Sequence, residues 1–493
     1  MNRVKIGWSK RETSLNEGVA LFGQMHLRVA EGILDPLYTT ALVIDGGEGH
    51  VIFVTCDLEA HRADSISATI ERVTKLRPEI SPDSILMGVT HSHTASSILP
   101  TPEVSPDGKS VYSGDKFRER LIEKSVEAIV EAWDTRAEGG IAYGYGYAVV
   151  GHSRRVCYDR DMSIGQDNRG VAPNGHAMMY GKTSRPEFSH YEAGADHFLN
   201  VLYTFDTENK VTGILMNVPC PSQLYEYALL QSSDYWNDVR EAVKAEFGEN
   251  VYVMPQCAAA GDLSPRILHY GAAQKRRLSL KYGTDHAVVS DDRDVRTALL
   301  RKDATEQIMN GVKEVLTWAS KDIKTELPVK AVRRAVDIRR RFITDEEKAW
   351  CEETLEIMKN QLPSPDSENY SFELTRYNSF KNRNNGALRR YAEQEANPTF
   401  RKYFCAARVG DVSFVTSPYE TFMDYMHRIQ ARSPFMQTFV IQLAGDAGAS
   451  YMATERAMAN KGYSASIFCN QVGAEGGQQF VENALEMLSE LAD

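Results

Sequence analysis

The sequence predicts a mixed α/β fold, with β-sheets flanked by helices, and three observations carry that expectation. Short apolar strand-like runs alternate with amphipathic helical segments through the first half of the chain and again after about residue 400. The strand-like runs stop at turns rich in Gly, Pro, Asn and Ser, some of which carry residues suited to chemistry. The composition, 42% hydrophobic and 25% charged, is that of an ordinary globular protein and excludes disordered and collagen-like chains.

Taken in order, residues 1–8 enter a strand at once. Residues 37–45 and 51–57 read as a strand pair joined by a turn containing Gly46 and Gly47. Helical spacing follows over 65–76. Residues 84–89 are strand-like and end at Thr90-His91-Ser92-His93. Residues 116–133 form a strongly amphipathic helix. A strand at 141–150 leads into 157–195, rich in Gly, Asp, Asn, Pro and Ser; long irregular segments of this kind more often wrap active sites than cores. A second strand pair, 198–206 and 211–218, precedes a helix at 235–247 and a strand at 251–254. Residues from about 270 to 390 are charged and mostly helical, which predicts one domain over 1–493 carrying a helical insertion there. Strands at 404–409 and 413–416, a helix at 417–431, a strand at 438–443 and an amphipathic helix at 477–491 complete the chain. No internal repeat is visible.

Charge and composition exclude several function classes. The net charge of -11 argues against a broad electrostatic grip on nucleic acid. The basic runs at 275–277 and 339–341 read as solvated faces. Apolar runs such as 51–55 and 439–443 are far shorter than the ~20 residues of a spanning helix, so stable membrane insertion is not expected. The first residues lack the apolar stretch of a signal peptide, which leads to the expectation of a cytoplasmic protein. Seven scattered cysteines without a CxxC pair fit a reducing compartment.

Four segments could carry chemistry. His91 and His93 stand at positions i and i+2 of a strand end, where a strand would project both imidazoles from one face; a polar loop with two histidines is the plainer reading. Gln256-Cys257-Ala258-Ala259-Ala260-Gly261-Asp262-Leu263-Ser264-Pro265 crowds small residues at a strand exit, which permits close approach of backbone. Ser417-Pro418-Tyr419-Glu420 spells a helix start, with Ser417 as N-cap and Glu420 closing a capping box. Tyr451-Met452-Ala453-Thr454 follows, with Tyr463 twelve residues beyond Tyr451.

In this order and wording, Thr90-His91-Ser92-His93, Gly261-Asp262-Leu263-Ser264-Pro265, the Glu420 segment and Tyr451-Met452-Ala453-Thr454 resemble the neutral/alkaline ceramidase family. The resemblance spans nearly the whole catalytic domain and is weak from about 270 to 390. It implies a ceramidase-like α/β catalytic domain and a zinc ion held by His91, Glu420 and Tyr451. It implies substrate-facing roles for His93, Arg154, Ser264 and Tyr463, with Arg155 as the alternative to Arg154. The family's second zinc histidine falls in Asn217-Val218-Pro219-Cys220-Pro221, so Cys220 is the expected fourth ligand; a thiolate is a competent zinc donor.

Neither the family's signal peptide nor its C-terminal immunoglobulin-like domain is expected in this protein. The resemblance therefore implies hydrolysis of the amide bond of a small soluble substrate, by water activated at zinc, rather than of membrane ceramide. Ser264 is expected to position the substrate, with a nucleophilic role as the alternative. Cleavage of an ester or glycosidic bond is the rival chemistry, and a binding protein that lost zinc at Cys220 is the rival outside enzymes. The sequence leaves the oligomeric state open.

Overall fold

The computed structural model describes residues 3–163, 175–448 and 450–493. The chain opens with β1 (Lys5–Glu12), β2 (Tyr38–Asp45) and β3 (His50–Cys56), each antiparallel to the next. Helix α1 (Ala63–Leu76) then carries the chain over to β4 (Ile85–Val89), which lies parallel to β3. A parallel neighbour cannot be reached by a tight turn, so the crossover needs a helix. The second helix, α2 (Gly114–Asp134), covers the same sheet, burying Phe117, Leu121, Ile122 and Ile129.

The same course then repeats. β5 (Gly140–Tyr147), β6 (Phe198–Phe205) and β7 (Val211–Val218) are antiparallel neighbours, and α3 (Tyr235–Phe247) leads to β8 (Tyr252–Cys257), parallel to β7. Helix α4 (Arg293–Ala319) adds a second helix to this sheet. It repeats once more in β9 (Val329–Arg339), followed by α5 (Asp345–Met358) and α6 (Tyr370–Glu393), and then β10 (Thr399–Val409) and β11 (Val412–Ser417). Helix α7 (Met423–Arg432) crosses over to β12 (Gln437–Gln442), parallel to β11, and α8 (Gly473–Ala492) ends the chain. Three sheets thus share one topology, although the sequence displays no repeat.

Side-chain alternation explains how the three sheets assemble. In β2, Leu42 and Ile44 face one way and Ala41 and Val43 the other, and all four are buried. One set joins a core common to all three sheets, with Leu202, Leu215 and Met254 from the second and Phe414, Phe439 and Ile441 from the third. The other set of each sheet meets its own helices. At the centre, Phe414 lies 4.5 Å from Phe53 and 4.6 Å from Phe439, centroid to centroid, so aromatic packing ties the first sheet to the third.

The stretch 270–390 holds long helices and also β9, whose eleven residues pair along their whole length with β10. One expectation needs correction. The helix expected over 417–431 begins only at Met423. The irregular segment 157–195 holds short strands at Arg155–Tyr158, Ala177–Met179 and Phe188–Tyr191; part of it, residues 164–174, lies outside the described residues.

Each parallel strand pair ends where a loop carries polar residues, the usual place for ligand sites in α/β sheets. These exits are tied together. The His93 N–H donates to the Ser222 carbonyl (3.1 Å), the Gly261 N–H to the Thr421 carbonyl (2.9 Å) and the Gly445 N–H to the Met87 carbonyl (2.8 Å).

Because Phe414 is wholly buried where two sheets meet, Phe414→Ala should lower the unfolding free energy by about 3–5 kcal/mol. Urea denaturation checks this; a loss below about 1 kcal/mol would mean the sheets do not share this core.

Candidate active site

The first exit does not work as strand alternation predicts. His91 sits at φ +57°, in the left-handed region, beyond the end of β4. The turn, rather than a pleat, aims its imidazole at His93, and the two Nε2 atoms stand 3.5 Å apart. Gly23 leaves room for this: a Cβ there would lie 2.7 Å from the His93 ring. His91 Nδ1–H donates to the Glu59 carbonyl at 2.9 Å, which leaves Nε2 as the nitrogen that faces the site.

Glu420 does not close a capping box. Glu420–Thr421 is a short strand paired in parallel with Tyr451–Met452, which places Glu420 directly beside Tyr451. Its extended backbone is held from both sides, by Gln442 Oε1 accepting the Thr421 N–H (3.1 Å) and by Gly261 donating to the Thr421 carbonyl (2.9 Å). Helix α7 is capped instead from another loop, where Asp262 Oδ1 accepts the Met423 N–H at 3.1 Å. A local capping signal loses here to hydrogen bonds that only the folded chain supplies.

Glu420 Oε2 lies 3.3 Å from His91 Nε2 and 3.5 Å from Arg154 Nη2. The same Nη2 donates to the Tyr451 hydroxyl at 3.2 Å and to the Gly261 carbonyl at 2.9 Å, and Nη1 to the Tyr180 hydroxyl at 3.3 Å. The neighbouring Arg155 faces the other way, clasping Glu192 at 2.6 and 3.0 Å. Arg154 is therefore the arginine of the cluster.

His91, Arg154 and Glu420 are only 2%, 2% and 6% exposed, so their charges act at full strength on one another. Burial pushes the Glu420 carboxyl up, but the His91 and Arg154 charges outweigh it and hold the group below its usual range. Burial likewise opposes charge on His91, and Glu420 reverses this to raise it. His93 is held well below its ordinary value by burial and by the charges of His91, Arg28, Arg154 and Arg266.

Tyr463 stands with its ring 6.1 Å from that of Tyr451, and its hydroxyl accepts from Arg383 Nη2 at 3.1 Å. Ser264 is fully buried; it pairs with His152 and accepts the Arg266 N–H at 3.1 Å, which closes the turn before Pro265. No hydrogen bond joins Ser264 to His91, Glu420 or Tyr451 among the described residues. Cys220 is buried in the core of the second sheet. A tight turn, Cys220 N–H to the Val218 carbonyl at 2.8 Å, leaves its side chain among Val218, Leu224 and Tyr235, with Sγ at 3.5 Å from the Pro221 carbonyl. Burial raises its thiol well above the usual range. Among the described residues, no group of three or more His, Cys, Asp or Glu side chains is placed to hold a metal.

Several residues of the site escape sequence reasoning. Glu59 leaves β3 beside His91, and its buried carboxyl is pushed up to about 7 by burial, with His91 opposing and Glu420 adding to the shift. A cavity of about 460 Å³ adjoins it, bounded by Phe22, Glu59, His61, Ser96 and Gly448. Glu226 Oε2 lies 3.5 Å from His93 Nδ1, behind that ring, and Nδ1 has no hydrogen-bond partner among the described residues. The one usable signal was position: Glu59 follows a strand whose parallel partner ends in the two histidines.

No protein-family model matches the chain, and no curated protein matches it. Among solved structures the fold is similar to that of the neutral ceramidase from Pseudomonas aeruginosa, with a TM-score of 0.68 at 16% sequence identity over 100% of this chain and 75% of that one. A structure described as a ceramidase complexed with C2 is similar at a TM-score of 0.63 and 14% identity, over 100% of this chain and 76% of that one. At these identities the likeness is one of fold.

A Cβ on Gly261 would lie 2.4 Å from the Glu420 carbonyl oxygen. Gly261→Ala should therefore force the two exits apart and cost about 1–3 kcal/mol. Calorimetry reads this directly, and an unchanged melting temperature would contradict the close approach.

Proposed function

We propose that the chain is a zinc-dependent hydrolase that cleaves the amide bond of a small N-acyl substrate. The observation that carries this reading is the convergence of His91 Nε2, Glu420 Oε2, the Tyr451 hydroxyl and Arg154 Nη2 within one buried cluster. The ceramidase names of the two similar structures favour amide hydrolysis over other chemistry on this fold.

The donor set fits zinc. One imidazole nitrogen, one carboxylate and one phenol oxygen would offer zinc nitrogen and oxygen donors. The His91 Nδ1–H bond to a backbone carbonyl is the outer support that orients zinc-bound histidines. In this proposal His91, Glu420 and Tyr451 hold the ion, and Cys220 does not. Zinc bound there would supply Lewis acidity to the substrate carbonyl and to water.

The remaining roles belong to the chain itself. Arg154 places a fixed positive charge beside Tyr451 and stabilises the oxyanion that develops as the amide carbonyl is attacked. His93 Nε2 faces the same point as His91 Nε2 and is positioned to take a proton there, with Glu226 behind its ring. Tyr463 lines the far side, next to Tyr451, and orients the substrate by hydrogen bonding. Ser264 acts through the loop it closes. No described helix is long and apolar enough to cross a membrane.

A metal-free ligand-binding protein is the second reading, because Glu420 already has His91 and Arg154 as counter-charges. Metal analysis of the purified protein separates the two. About one zinc per chain, with hydrolysis of N-acyl amines in a panel that also holds esters and glycosides, supports the enzyme; a folded, zinc-free and inactive protein supports the binder.

His91→Ala is expected to lose most of the zinc and activity by a factor of at least about 100, since a ligand is removed. Cys220→Ala should keep its zinc. The reverse pattern, zinc retained in the first and lost in the second, would reassign the ligand set.

A further inference from the structure

The site's roof bears on what it accepts, an inference that rests on the amide-hydrolase reading and adds a substrate class. Helix α6 presents Phe372, Thr375, Arg376 and Arg383 at helical spacing. Phe372 packs edge-on to His26 at 4.5 Å, and the Thr375 hydroxyl accepts the Leu27 N–H at 3.1 Å. His26 and Leu27 belong to the loop in which Gly23 seats His93 and Arg28 donates to the His93 carbonyl. At the other end of the same face, Arg383 donates to the Tyr463 hydroxyl at 3.1 Å. One helix face thus spans the cluster from the His93 side to the Tyr451–Tyr463 side.

The guanidiniums around this cluster are not equally committed. A guanidinium has five N–H donors. Arg28 uses its donors on the carbonyls of Phe22, His93, Glu226 and Ala228, and Arg266 pairs with Glu226. Arg154 is held by Tyr180, Gly261, Tyr451 and Glu420. Arg383 reaches only the neutral Tyr463 hydroxyl and, at 3.9 Å, the Cys469 sulfur; no carboxylate pairs with it among the described residues. Its ring-facing position, 5.5 Å above Tyr463, keeps the fork at the aromatic wall of the site.

A partly buried guanidinium without a counter-charge is an uncompensated cost in the free protein, and an arriving oxyanion relieves it through two parallel hydrogen bonds. We propose that Arg383 makes the site selective for substrates that carry an oxyanion, a carboxylate or a phosphate, near the amide, because its fork stands beside Tyr463 with no acidic partner of its own. Arg376, exposed on the same helix face, adds positive potential along the approach.

Three probes share one acyl chain and differ in head group: N-hexanoylglycine with a carboxylate, O-phospho-N-hexanoylethanolamine with a phosphate, and neutral N-hexanoylethanolamine. Calorimetric binding to the purified full chain, alongside kcat/KM where turnover occurs, should favour at least one anionic probe over the neutral one by about 10- to 100-fold, the range for a charge-assisted pair. Arg383→Gln should collapse that ratio, mainly through KM or Kd, and Arg383→Lys should restore part of it by keeping charge without the fork. Preference for one anion names its source. Equal binding of all three by the unaltered protein, or no binding by any, overturns the proposal without needing a variant. Binding selectivity without hydrolysis of any probe leaves Arg383 as the selector and counts against the hydrolase reading alone.

Discussion

Everything in this fold depends on strands that are buried on both faces. Leu42 and Ile44 on one side of β2, and Ala41 and Val43 on the other, all need an apolar partner. The inner faces of three sheets satisfy one another in a common core, and each outer face requires its own helices. A parallel strand pair with a crossover helix is the local solution, and the chain uses it three times. The exits of those pairs meet because the sheets share a centre, and the site is built from their loops.

Close approach at that meeting point has a backbone cause. Gly261 and Gly448 lie where a Cβ would collide with the carbonyl oxygens of Glu420 and Pro418, at 2.4 and 1.4 Å. The missing Cβ at Gly261 lets loops of the second and third sheets hydrogen-bond directly, and the one at Gly448 lets two loops of the third sheet close up, which places Glu420 beside Tyr451 and within reach of His91. The electrostatics follow from that packing. A carboxylate at 6% exposure keeps its charge only with cations at hand, and the first and second sheets supply them as His91 and Arg154.

The helices around the sheets are not equivalent in what they contribute. α1, α2 and α3 bury regular apolar faces and close cores. α6 buries few residues, chiefly Phe380, Asn384 and Ala387, and spends much of its surface on Arg, Asn and Tyr. A helix of that composition adds little to a core. Its placement between the His26 loop and Tyr463 gives it access to whatever enters the site.

What the sequence determined by itself is what local pattern encodes. Alternating apolar residues mark β2, β3, β6 and β7, and period-3.6 apolar spacing marks α1, α2, α3 and α8, because burial of one face is a short-range property of the chain. His91, Glu420 and Tyr451, with Arg154 or its neighbour Arg155, formed a group only through the resemblance of the ordered motifs to a known family. The tertiary structure decided the rest. It turned His91 through a left-handed residue, drew Glu420 out of its own capping signal into a strand, and set Arg154 rather than Arg155 beside Tyr451 and Glu420. It also made three like units from segments with no visible repeat, and placed a strand inside the stretch that read as helical. Each of these outcomes rests on hydrogen bonds or packing between residues far apart in the chain, such as Gly261 with Thr421 and Asp262 with Met423, and no local window of sequence contains both partners.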